Sequence, residues 1–285
     1  GTHGVKMANA AVNECDVLFL VGARVGDRAV KTPLALEKTT KIIHIDIDPA
    51  EIGKNIGADL PLVGDAKLVL QQMTELAKPM KHDEWIAHIK TLGGERKYVE
   101  PAKGTVNPRV FIDRLAKKMP ANVTVVADVG QNQIWTCTEY KFRKEGRLLT
   151  SGGMGTMGYS VPAAIGAKMA DDSRATVAIC GDGAFQMSFM ELATAVQFGV
   201  DIKVVVMTNN RLGMVRELQT NGYHDRQTAV FLDGSPDFIK LAEAYGIPAM
   251  RVYDDDTMEK GVEMLAEHKG ICLVEVVVDK DMPTL

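Results

Sequence analysis

TVAICGDGAFQMSFMELATAVQFGVDIKVVVMTNNRLG, residues Thr176–Gly213, is the most informative segment of the chain. It contains a β-branched run, a Gly-Asp-Gly turn, a helical segment, a second β-branched run and a polar loop. Asp182 follows the first run and Asn209 follows the second, which leaves room for one helical crossover between them. The pattern predicts two neighbouring parallel strands, about 4.8 Å apart, with both side chains at the carboxyl edge of the sheet. Open α/β sheets bind their ligands at that edge.

The residue types at these positions suit a divalent metal. A carboxylate, an amide oxygen and a backbone carbonyl are hard oxygen ligands, which Mg²⁺ binds while it keeps water and phosphate oxygens. We expect Asp182, Asn209 and the carbonyl of Arg211 to be the protein ligands. A Gly-Asp-Gly turn or a pair of asparagines alone is a common loop feature. Their spacing within one strand–helix–strand unit is what favours the metal site.

An anion site is expected beside the metal. Gly181 and Gly183 allow the backbone to turn sharply and to approach a bulky anion closely. The N–H groups of Gly183–Phe185 begin the next helix, whose positive end favours phosphate. The sequence therefore predicts a site for a metal–diphosphate group.

β-branched runs alternate with helical patterns along most of the chain, which predicts an α/β fold with parallel sheets and right-handed crossovers. Few polar residues interrupt these runs, as expected for strands that are covered on both faces. The predicted strands are Asp16–Val21, Lys41–Ile47, Val123–Ala127, Thr176–Cys180, Lys203–Met207 and Cys272–Val278. Helical spacing is clearest in Phe111–Lys118, Met187–Phe198 and Asp237–Tyr245.

Two domains are predicted, at residues 1–77 and 108–285. The polar residues 78–107 form the connector, because they contain prolines, a Gly93-Gly94 break and no strand pattern. The first domain offers only two good strands, too few for a self-sufficient doubly wound domain. We interpret it as the rear half of a Rossmann-like domain whose beginning is missing, and the second as a doubly wound parallel sheet domain. The absence of an initiator Met also favours a processed or truncated product.

The composition is that of a soluble globular protein of 285 residues, with 46% hydrophobic and 25% charged residues. The net charge of −4 argues against a nucleic-acid or anionic-membrane surface. No apolar run approaches the roughly 20 residues that cross a bilayer, and no leader pattern is visible. A cytoplasmic protein is therefore expected.

Four cysteines are scattered along the chain, at Cys15, Cys137, Cys180 and Cys272, without a CxxC pair. Three of them lie in or beside apolar runs that predict strands. This arrangement predicts neither a structural zinc site nor a disulfide framework, and it favours buried reduced thiols.

Several motifs resemble one known family. Gly181-Asp182-Gly183 followed by Asn209 is similar to the thiamine-diphosphate motif of the pyruvate-decarboxylase-like superfamily. Three further segments resemble the acetolactate (acetohydroxyacid) synthase large subunit: Gly152–Tyr159 (GGMGTMGY), Gly213-Met214-Val215 and Val21–Arg28 (VGARVGDR). The resemblance covers essentially the whole chain. It implies that the second domain binds thiamine diphosphate and that the first is part of an FAD-type middle domain.

The resemblance also implies which residues contact the cofactor. Met214 would wedge under the thiazolium ring, a favourable contact for a thioether sulfur, and Gly155 and Met157 would lie near both rings. These three are the implied catalytic positions. Many members of the family carry His where this chain has Asn132, which removes a cation from the diphosphate contact. The implied cofactor-binding residues are Gly130, Gln131, Asn132, Gly155, Met157, Gly181, Asp182, Gly183, Ala184, Met187, Asn209, Met214 and Val215.

In the first domain the resemblance implies an FAD site of the complete protein. Asp46 ends a predicted strand, where a carboxylate can accept hydrogen bonds from ribose hydroxyls. Arg24 and Arg28 follow another strand and can pair with a diphosphate. The alternative is that these are loop charges of a Rossmann-like domain that binds no FAD. The implied FAD residues are His3, Gly4, Gly22, Arg24, Arg28, Asp46, Ile47, Asp65 and Ala66.

The implied activity is the decarboxylation of pyruvate and the transfer of the two-carbon unit to a second 2-keto acid, which gives acetolactate in branched-chain amino acid biosynthesis. Pyruvate and 2-ketobutyrate both stay open as the acceptor, because Leu218 stands where the family often has Trp. The resemblance implies a homodimer or homotetramer, and a small regulatory subunit is a further candidate partner. It also implies a catalytic Glu from an N-terminal domain that this chain lacks, so we expect the isolated chain to be inactive.

Three alternatives compete with this interpretation. Another thiamine-diphosphate enzyme of 2-keto acids, such as glyoxylate carboligase, pyruvate oxidase or pyruvate decarboxylase, is disfavoured by Gly213-Met214-Val215 and Val21–Arg28. A dinucleotide-binding oxidoreductase would use a GxGxxG match at residues 153–158, into which no convincing strand leads. A non-catalytic assembly module would have no need for Asp182 and Asn209 at ligand spacing.

Overall fold

The computed structural model describes residues 1–93 and 98–284. The chain forms two compact units, residues 1–96 and 97–285, and the division falls inside the segment 78–107 that the sequence predicts as a connector. Gly94, in the predicted Gly93-Gly94 break, lies outside the described residues. Across the described ranges, no helix is both long and apolar enough to cross a bilayer.

The first unit contains a three-stranded parallel sheet in the order β1-β2-β3. Its elements are α1 (Lys6–Glu14), β1 (Val17–Val21), α2 (Pro33–Glu37), β2 (Lys41–Asp46), β3 (Leu60–Val63), α3 (Ala66–Leu76) and α4 (Asp83–Thr91). Leu36, Ile42 and Ile56 belong to its small buried core. Helix α4 lies within the predicted connector, and His88 Nε2 on this helix is 2.6 Å from Glu14 Oε2 on α1.

The sequence predicts only two strands in this unit, and this prediction is wrong because it omits β3. The strand is four residues long and contains Pro61, which has no backbone N–H and so argues against a central strand. The sheet order places β3 at an edge, with Ile43 of β2 opposite Leu60. Proline is tolerated at that position because an edge strand needs hydrogen bonds on one side only.

The second unit contains a six-stranded parallel sheet in the order β5-β4-β6-β7-β9-β8. This confirms the predicted α/β class with a doubly wound parallel sheet. The elements of the first half are α5 (Pro108–Lys118), β4 (Thr124–Ala127), α6 (Gln131–Glu139), β5 (Arg147–Thr150), α7 (Ser160–Ala170), β6 (Thr176–Gly181) and α8 (Asp182–Gln186). After a 3₁₀ turn at Phe189–Glu191 come α9 (Leu192–Gln197), β7 (Ile202–Thr208), α10 (Gly213–Gly222), α11 (Phe238–Ala244), β8 (Ala249–Val252), α12 (Asp255–Glu267) and β9 (Cys272–Val277).

Both faces of the central strands are buried. Neighbouring residues of β6 belong to two different apolar clusters, Val177 to one and Ala178 to the other, because successive side chains of a strand point to opposite faces. Phe185 of α8 meets Phe238 of α11 edge to face, with ring centroids 5.3 Å apart. Complete burial of a phenylalanine contributes about 1.5–3 kcal/mol. These rings therefore anchor the short helix that follows β6.

Two edge strands of this sheet, β5 and β8, are also missing from the prediction. Both are four residues long and partly exposed, so they lack the continuous apolar run of the central strands. Strand β5 ends at Thr150, shortly before the GxGxxG match at residues 153–158. The expectation that no convincing strand leads into this segment is therefore wrong. The predicted helix Met187–Phe198 is divided into the 3₁₀ turn and α9.

The four cysteines are free thiols, as predicted. Cys180 and Cys272 are buried, and burial raises the pKa of the Cys272 thiol to about 11. Cys15 and Cys137 are half-buried. The expected burial therefore holds for the two strand cysteines of the second unit and is wrong for the other two.

Candidate functional site

A cleft lies at the carboxyl edge of the second sheet, where β4, β6 and β7 end side by side. Its empty volume is about 560 Å³, which includes space that is open to solvent. Of the residues predicted to bind cofactor or metal, the following line it: Gly130, Gln131, Asn132, Met157, Gly181, Asp182, Gly183, Ala184, Asn209, Arg211, Met214 and Val215. The lining residues that the sequence did not predict are Val129, Trp135, Met207, Leu212 and Gly213.

Asp182 is the buried carboxylate of this cleft, with 1% of its surface exposed. Its Oδ1 accepts a hydrogen bond from the N–H of Gly183 at 2.8 Å. Its Oδ2 accepts from the N–H groups of Asn209 at 3.2 Å and Asn210 at 2.6 Å. Burial raises the pKa of Asp182 to about 6, against the opposing effect of these N–H donors. A divalent cation would offset the lost hydration of this carboxylate.

Asn209 directly follows β7, which pairs in parallel with β6, and so lies beside Asp182. Its Oδ1 accepts from the N–H of Arg211 at 3.0 Å, and its Nδ2 donates to Gln131 Oε1 at 3.1 Å. The Arg211 guanidinium pairs with Asp233 at 2.9 Å. A role of Arg211 in a metal site therefore falls to its backbone carbonyl.

A metal in this cleft would depend on mixed oxygen donors. In the part of the chain that the structure describes, no group of three or more His, Cys, Asp or Glu side chains is arranged to hold a metal ion. The carboxylate of Asp182, the amide of Asn209 and a backbone carbonyl are oxygen donors of this kind in the cleft. Such a set suits Mg²⁺, which takes few protein ligands and keeps water and phosphate oxygens.

The start of α8 differs from the prediction in two respects. The N–H of Gly183 is not free for a phosphate, because it donates to Asp182 Oδ1. Packing and not a sharp turn favours glycine at this position, since a Cβ on Gly183 would lie 2.8 Å from Leu212 Cδ2 and that side chain would have to shift. Gly181 is the N-cap residue in an extended conformation, with a φ of −83°.

Apolar side chains form much of the remaining lining. Met157 and Met214, which the resemblance implies as ring contacts, both line the cleft, together with Trp135. Gly155 and Met187 are not among the lining residues. Gly155 is exposed with a φ of +67°, and the Met187 side chain is 57% exposed. The cleft thus combines a polar region at the strand ends with an apolar region.

Asp128, to which the sequence assigns no role, fixes one wall of the cleft. It directly follows β4 and is wholly buried. Its Oδ1 accepts from the N–H groups of Val129 at 2.8 Å and Gly158 at 3.0 Å, and its Oδ2 accepts from that of Ser160 at 2.8 Å. These bonds hold the segment that carries Met157 against the end of β4. The sequence contains a signal for this residue, because Asp128 follows a run predicted to be a buried strand, just as Asp182 does.

In the first unit, the residues implied for FAD lie at or near the carboxyl edge of the three-stranded sheet. Gly22 follows β1, Asp46 ends β2, and Asp65 precedes α3 just after β3. The N–H of Thr2 donates to the carbonyl of Arg28 at 2.8 Å, which joins the N-terminal residues to the loop after β1. The remaining implied residues in these segments are His3, Gly4, Arg24, Arg28, Ile47 and Ala66.

Comparison with known families gives a consistent result for both units. Residues 128–276 match the C-terminal TPP binding domain of thiamine pyrophosphate enzymes, which is more than half of the chain, and residues 1–73 match the central domain of the same enzymes. The chain belongs to the thiamine pyrophosphate enzymes. Thiamine pyrophosphate is thiamine diphosphate, so the predicted cofactor class is confirmed.

Curated relatives of this thiamine pyrophosphate enzyme are acetolactate synthases. The chain is 39% identical over 290 residues to the probable acetolactate synthase large subunit of Methanocaldococcus jannaschii, and 36% identical over 282 residues to the acetolactate synthase large subunit of Lactococcus lactis. It is 39% identical over 293 residues to the acetolactate synthase of Arthrospira platensis. These alignments cover 98%, 98% and 99% of this chain but 49%, 49% and 50% of the relatives. The chain therefore spans about half the length of the curated relatives it matches.

Without metal, Asp182 of this thiamine pyrophosphate enzyme is expected to destabilise the fold at neutral pH. Its pKa of about 6 in the folded chain lies above its ordinary value of 3.8, so the folded state binds the proton more tightly than the unfolded state. The stabilisation from that proton is present below about pH 4 and is lost as the pH rises through about 6. A pKa shift of this size corresponds to about 2–3 kcal/mol of the free energy of unfolding.

Urea unfolding in EDTA, from about pH 4 to about pH 7, measures this effect when the wild type is compared with Asp182→Asn, which does not titrate in that range. The unfolding free energy of the variant should rise relative to that of the wild type as the pH increases. A difference between the two proteins that stays constant with pH contradicts the expectation.

Proposed function

We propose that this chain is the cofactor-binding part of an acetolactate synthase. The enzyme would use thiamine diphosphate and Mg²⁺ to decarboxylate pyruvate and to join the two-carbon unit to a second 2-keto acid. The observation that carries this proposal is the buried Asp182 beside Asn209 in the cleft of a thiamine pyrophosphate enzyme. The similarity to acetolactate synthases supports the choice of reaction.

The residues of the cleft fit a magnesium–diphosphate group. Asp182, Asn209 and the Arg211 carbonyl would hold the metal, with diphosphate oxygens and water as its other ligands. Burial raises the pKa of Asp182 to about 6, because a buried negative charge is unfavourable without a cation beside it. Mg²⁺ would remove that cost and at the same time neutralise part of the charge of the diphosphate.

When bound, thiamine diphosphate supplies the nucleophile and the electron sink for decarboxylation. The chain's own residues would bind and orient it. Met157, Met214 and Trp135 would surround its rings with apolar groups, which excludes water from the reacting part of the cleft. Gly130, with a φ of +147°, brings the start of α6 to the same cleft, where Gln131 begins the helix.

Further features are proposed for the complete enzyme. FAD binding is supported by Asp46 and Asp65, which lie at one edge of a parallel sheet where nucleotide-type ligands bind. Assembly as a homodimer or homotetramer, with a small regulatory subunit, completes the proposal. The names of two relatives, which are called large subunits, support a smaller partner.

Cofactor binding is tested by calorimetric titration of thiamine diphosphate into the chain, with Mg²⁺ and again with EDTA. We expect binding with Mg²⁺ and binding at least about tenfold weaker with EDTA, since the Asp182 carboxylate and the diphosphate repel one another without a cation. Thiamine without the diphosphate is the matched control ligand and should not respond to the metal. Equal affinities with and without metal would overturn the magnesium–diphosphate site.

The reaction is tested by identifying the product that the complete enzyme forms from pyruvate. Acetolactate and carbon dioxide are expected, whereas acetaldehyde or an acetyl product in place of acetolactate would favour another thiamine-diphosphate enzyme. The isolated chain, at about half the length of its relatives, is expected to bind the cofactor and to form no acetolactate. Measurable acetolactate from the chain alone contradicts that part of the proposal.

A further inference from the structure

A short segment, residues 230–233, pairs with the loop that follows β7, and we refer to this segment as the clasp. Arg211 of the loop and Phe231 of the clasp form an antiparallel β-bridge. The N–H of Leu212 donates to the carbonyl of Val230 at 2.9 Å. The clasp residues are not among those that line the cleft, so the clasp contacts this loop from outside the cleft.

The bond to Val230 fixes the direction of the Arg211 carbonyl. That carbonyl and the N–H of Leu212 belong to one planar trans peptide unit, in which they point in opposite directions. Since the N–H faces the clasp, the carbonyl faces away from it. The bridge has the same consequence. The N–H of Leu232 donates to the carbonyl of Asn210 at 3.0 Å, so the bonds flank the bridged pair, and the N–H and carbonyl of the bridged Arg211 both face away from the clasp.

The side of the loop that faces away from the clasp is the side of the proposed ligands. The N–H of Arg211 donates to Asn209 Oδ1 at 3.0 Å, and the N–H of Asn209 donates to Asp182 Oδ2 at 3.2 Å. Arg211 lines the cleft although its guanidinium is held by the clasp. The bonds to Asn209 and Asp182 fix the backbone before Arg211, and the bond to Val230 then orients the next peptide unit, whose carbonyl is the proposed third ligand.

The side chain of Arg211 fastens the loop to the clasp. Its guanidinium carbon lies 4.6 Å from the centroid of the Phe231 ring, which is a cation–π contact. Its Nη1 lies 2.9 Å from Asp233 Oδ1 and donates to the carbonyl of Asn210 at 2.7 Å. The Phe231 and Asp233 side chains are both exposed, so each of these two contacts is weak alone. Together with the two backbone bonds they hold the clasp against the loop.

The clasp is also tied to α8, the helix that begins at Asp182. The hydroxyl of Ser235 donates to the carbonyl of Leu232 at 2.8 Å, and it accepts from Gln186 Nε2 of α8 at 3.0 Å. Both chain segments that supply the proposed metal ligands are therefore connected to the clasp.

We propose that the clasp is a positioning element for the proposed metal, in which the carbonyl of Val230 orients the carbonyl of Arg211 toward the metal. The proposal rests on the magnesium–thiamine diphosphate function proposed above. It follows that a segment outside the cleft sets the Mg²⁺ concentration that cofactor binding requires. Outer groups that orient metal ligands typically change metal affinity by about 10–100-fold when they are removed.

The test compares Leu212→Pro with Leu212→Ala. Both variants remove the leucine side chain, which lines the cleft, but only proline also lacks the N–H that donates to Val230. Leu212 has a φ of −76°, a value that proline adopts. We expect the proline variant to need about tenfold more Mg²⁺ than the alanine variant for half-maximal binding of thiamine diphosphate. Tryptophan fluorescence reports binding, since Trp135 lines the cleft.

Measurements in EDTA separate an effect on the metal from an effect on the cofactor. Without metal, the proline and alanine variants should bind thiamine diphosphate with affinities within about twofold of one another, because the clasp acts through the metal. A tenfold difference that persists in EDTA would overturn the proposal. Equal Mg²⁺ requirements, with only the unfolding midpoint lowered in the proline variant, would assign the clasp a general structural role and overturn it as well. A wild-type chain without metal-dependent binding would overturn the proposed function itself, before any variant is compared.

A second pair of variants tests the side-chain contact of the clasp, and decides the proposal if Leu212→Pro does not fold. Phe231→Ala removes the ring that lies against the Arg211 guanidinium, whereas Phe231→Tyr keeps an aromatic ring there. We expect the alanine variant to need about threefold more Mg²⁺ and the tyrosine variant to match the wild type, for the loss of one exposed cation–π contact. Equal Mg²⁺ requirements in these two variants would then overturn the proposal.

Discussion

Replacing Asp182 with alanine is expected to weaken the binding of thiamine diphosphate with Mg²⁺ at least about 30-fold. Truncating one member of a buried, hydrogen-bonded charge pair costs about 2–5 kcal/mol, and each factor of ten corresponds to about 1.4 kcal/mol. Asp182 is 1% exposed and would be the only carboxylate among the three proposed ligands, so its loss removes the charge that attracts the cation. Calorimetric titration with saturating Mg²⁺ measures the change.

The matched control is Asp256→Ala, an exposed aspartate on α12 in the same unit. The dissociation constant of this variant for thiamine diphosphate should equal that of the wild type. The substitution removes the same charge at a residue that does not line the cleft. Asp182→Asn separates charge from shape, since it keeps an oxygen for the metal and loses the negative charge. If Asp182→Ala binds within about threefold of the wild type, the metal is not held by this residue.

The central strands could be predicted because their sequences carry the whole signal. β6 and β7 are apolar on both faces, and the helix between them limits how far apart they can lie. The sequences of the edge strands carry less of this signal. β5 is partly exposed and β3 contains Pro61, and pairing with one neighbouring strand, more than the local sequence, makes them strands.

The same difference separates the site residues that were predicted from those that were missed. Asp182 and Asn209 could be placed because both follow strands of one crossover, so their distance is set locally. Trp135, which lines the cleft, is linked to Pro283 across roughly half of the chain, and no local pattern predicts such a contact. The spacing therefore identified the proposed ligands and missed this residue of the lining.

Asp128→Ala is expected to lower the free energy of unfolding by about 3–5 kcal/mol, a large part of the 5–15 kcal/mol that stabilises most folded domains. The carboxylate accepts from three backbone N–H groups, of Val129, Gly158 and Ser160. Each hydrogen bond to a charged group contributes about 1.5–3 kcal/mol, and relief from burying the charge offsets part of that sum. Alanine also leaves the N–H of the buried Ser160 without this acceptor.

Urea unfolding measures this loss, and Asp128→Asn gives an intermediate reference. Its amide oxygen can replace one carboxylate oxygen, but its NH₂ group faces an N–H donor in place of the other, so we expect a smaller loss than for alanine. Proteolysis of the folded variant should cut within Gly152–Tyr159, since Asp128 holds Gly158 to the end of β4. A loss below about 1 kcal/mol without such cleavage would show that packing around Met157 fixes this segment on its own. The wall of the cleft would then depend on apolar contacts, and the buried carboxylate would be dispensable to it.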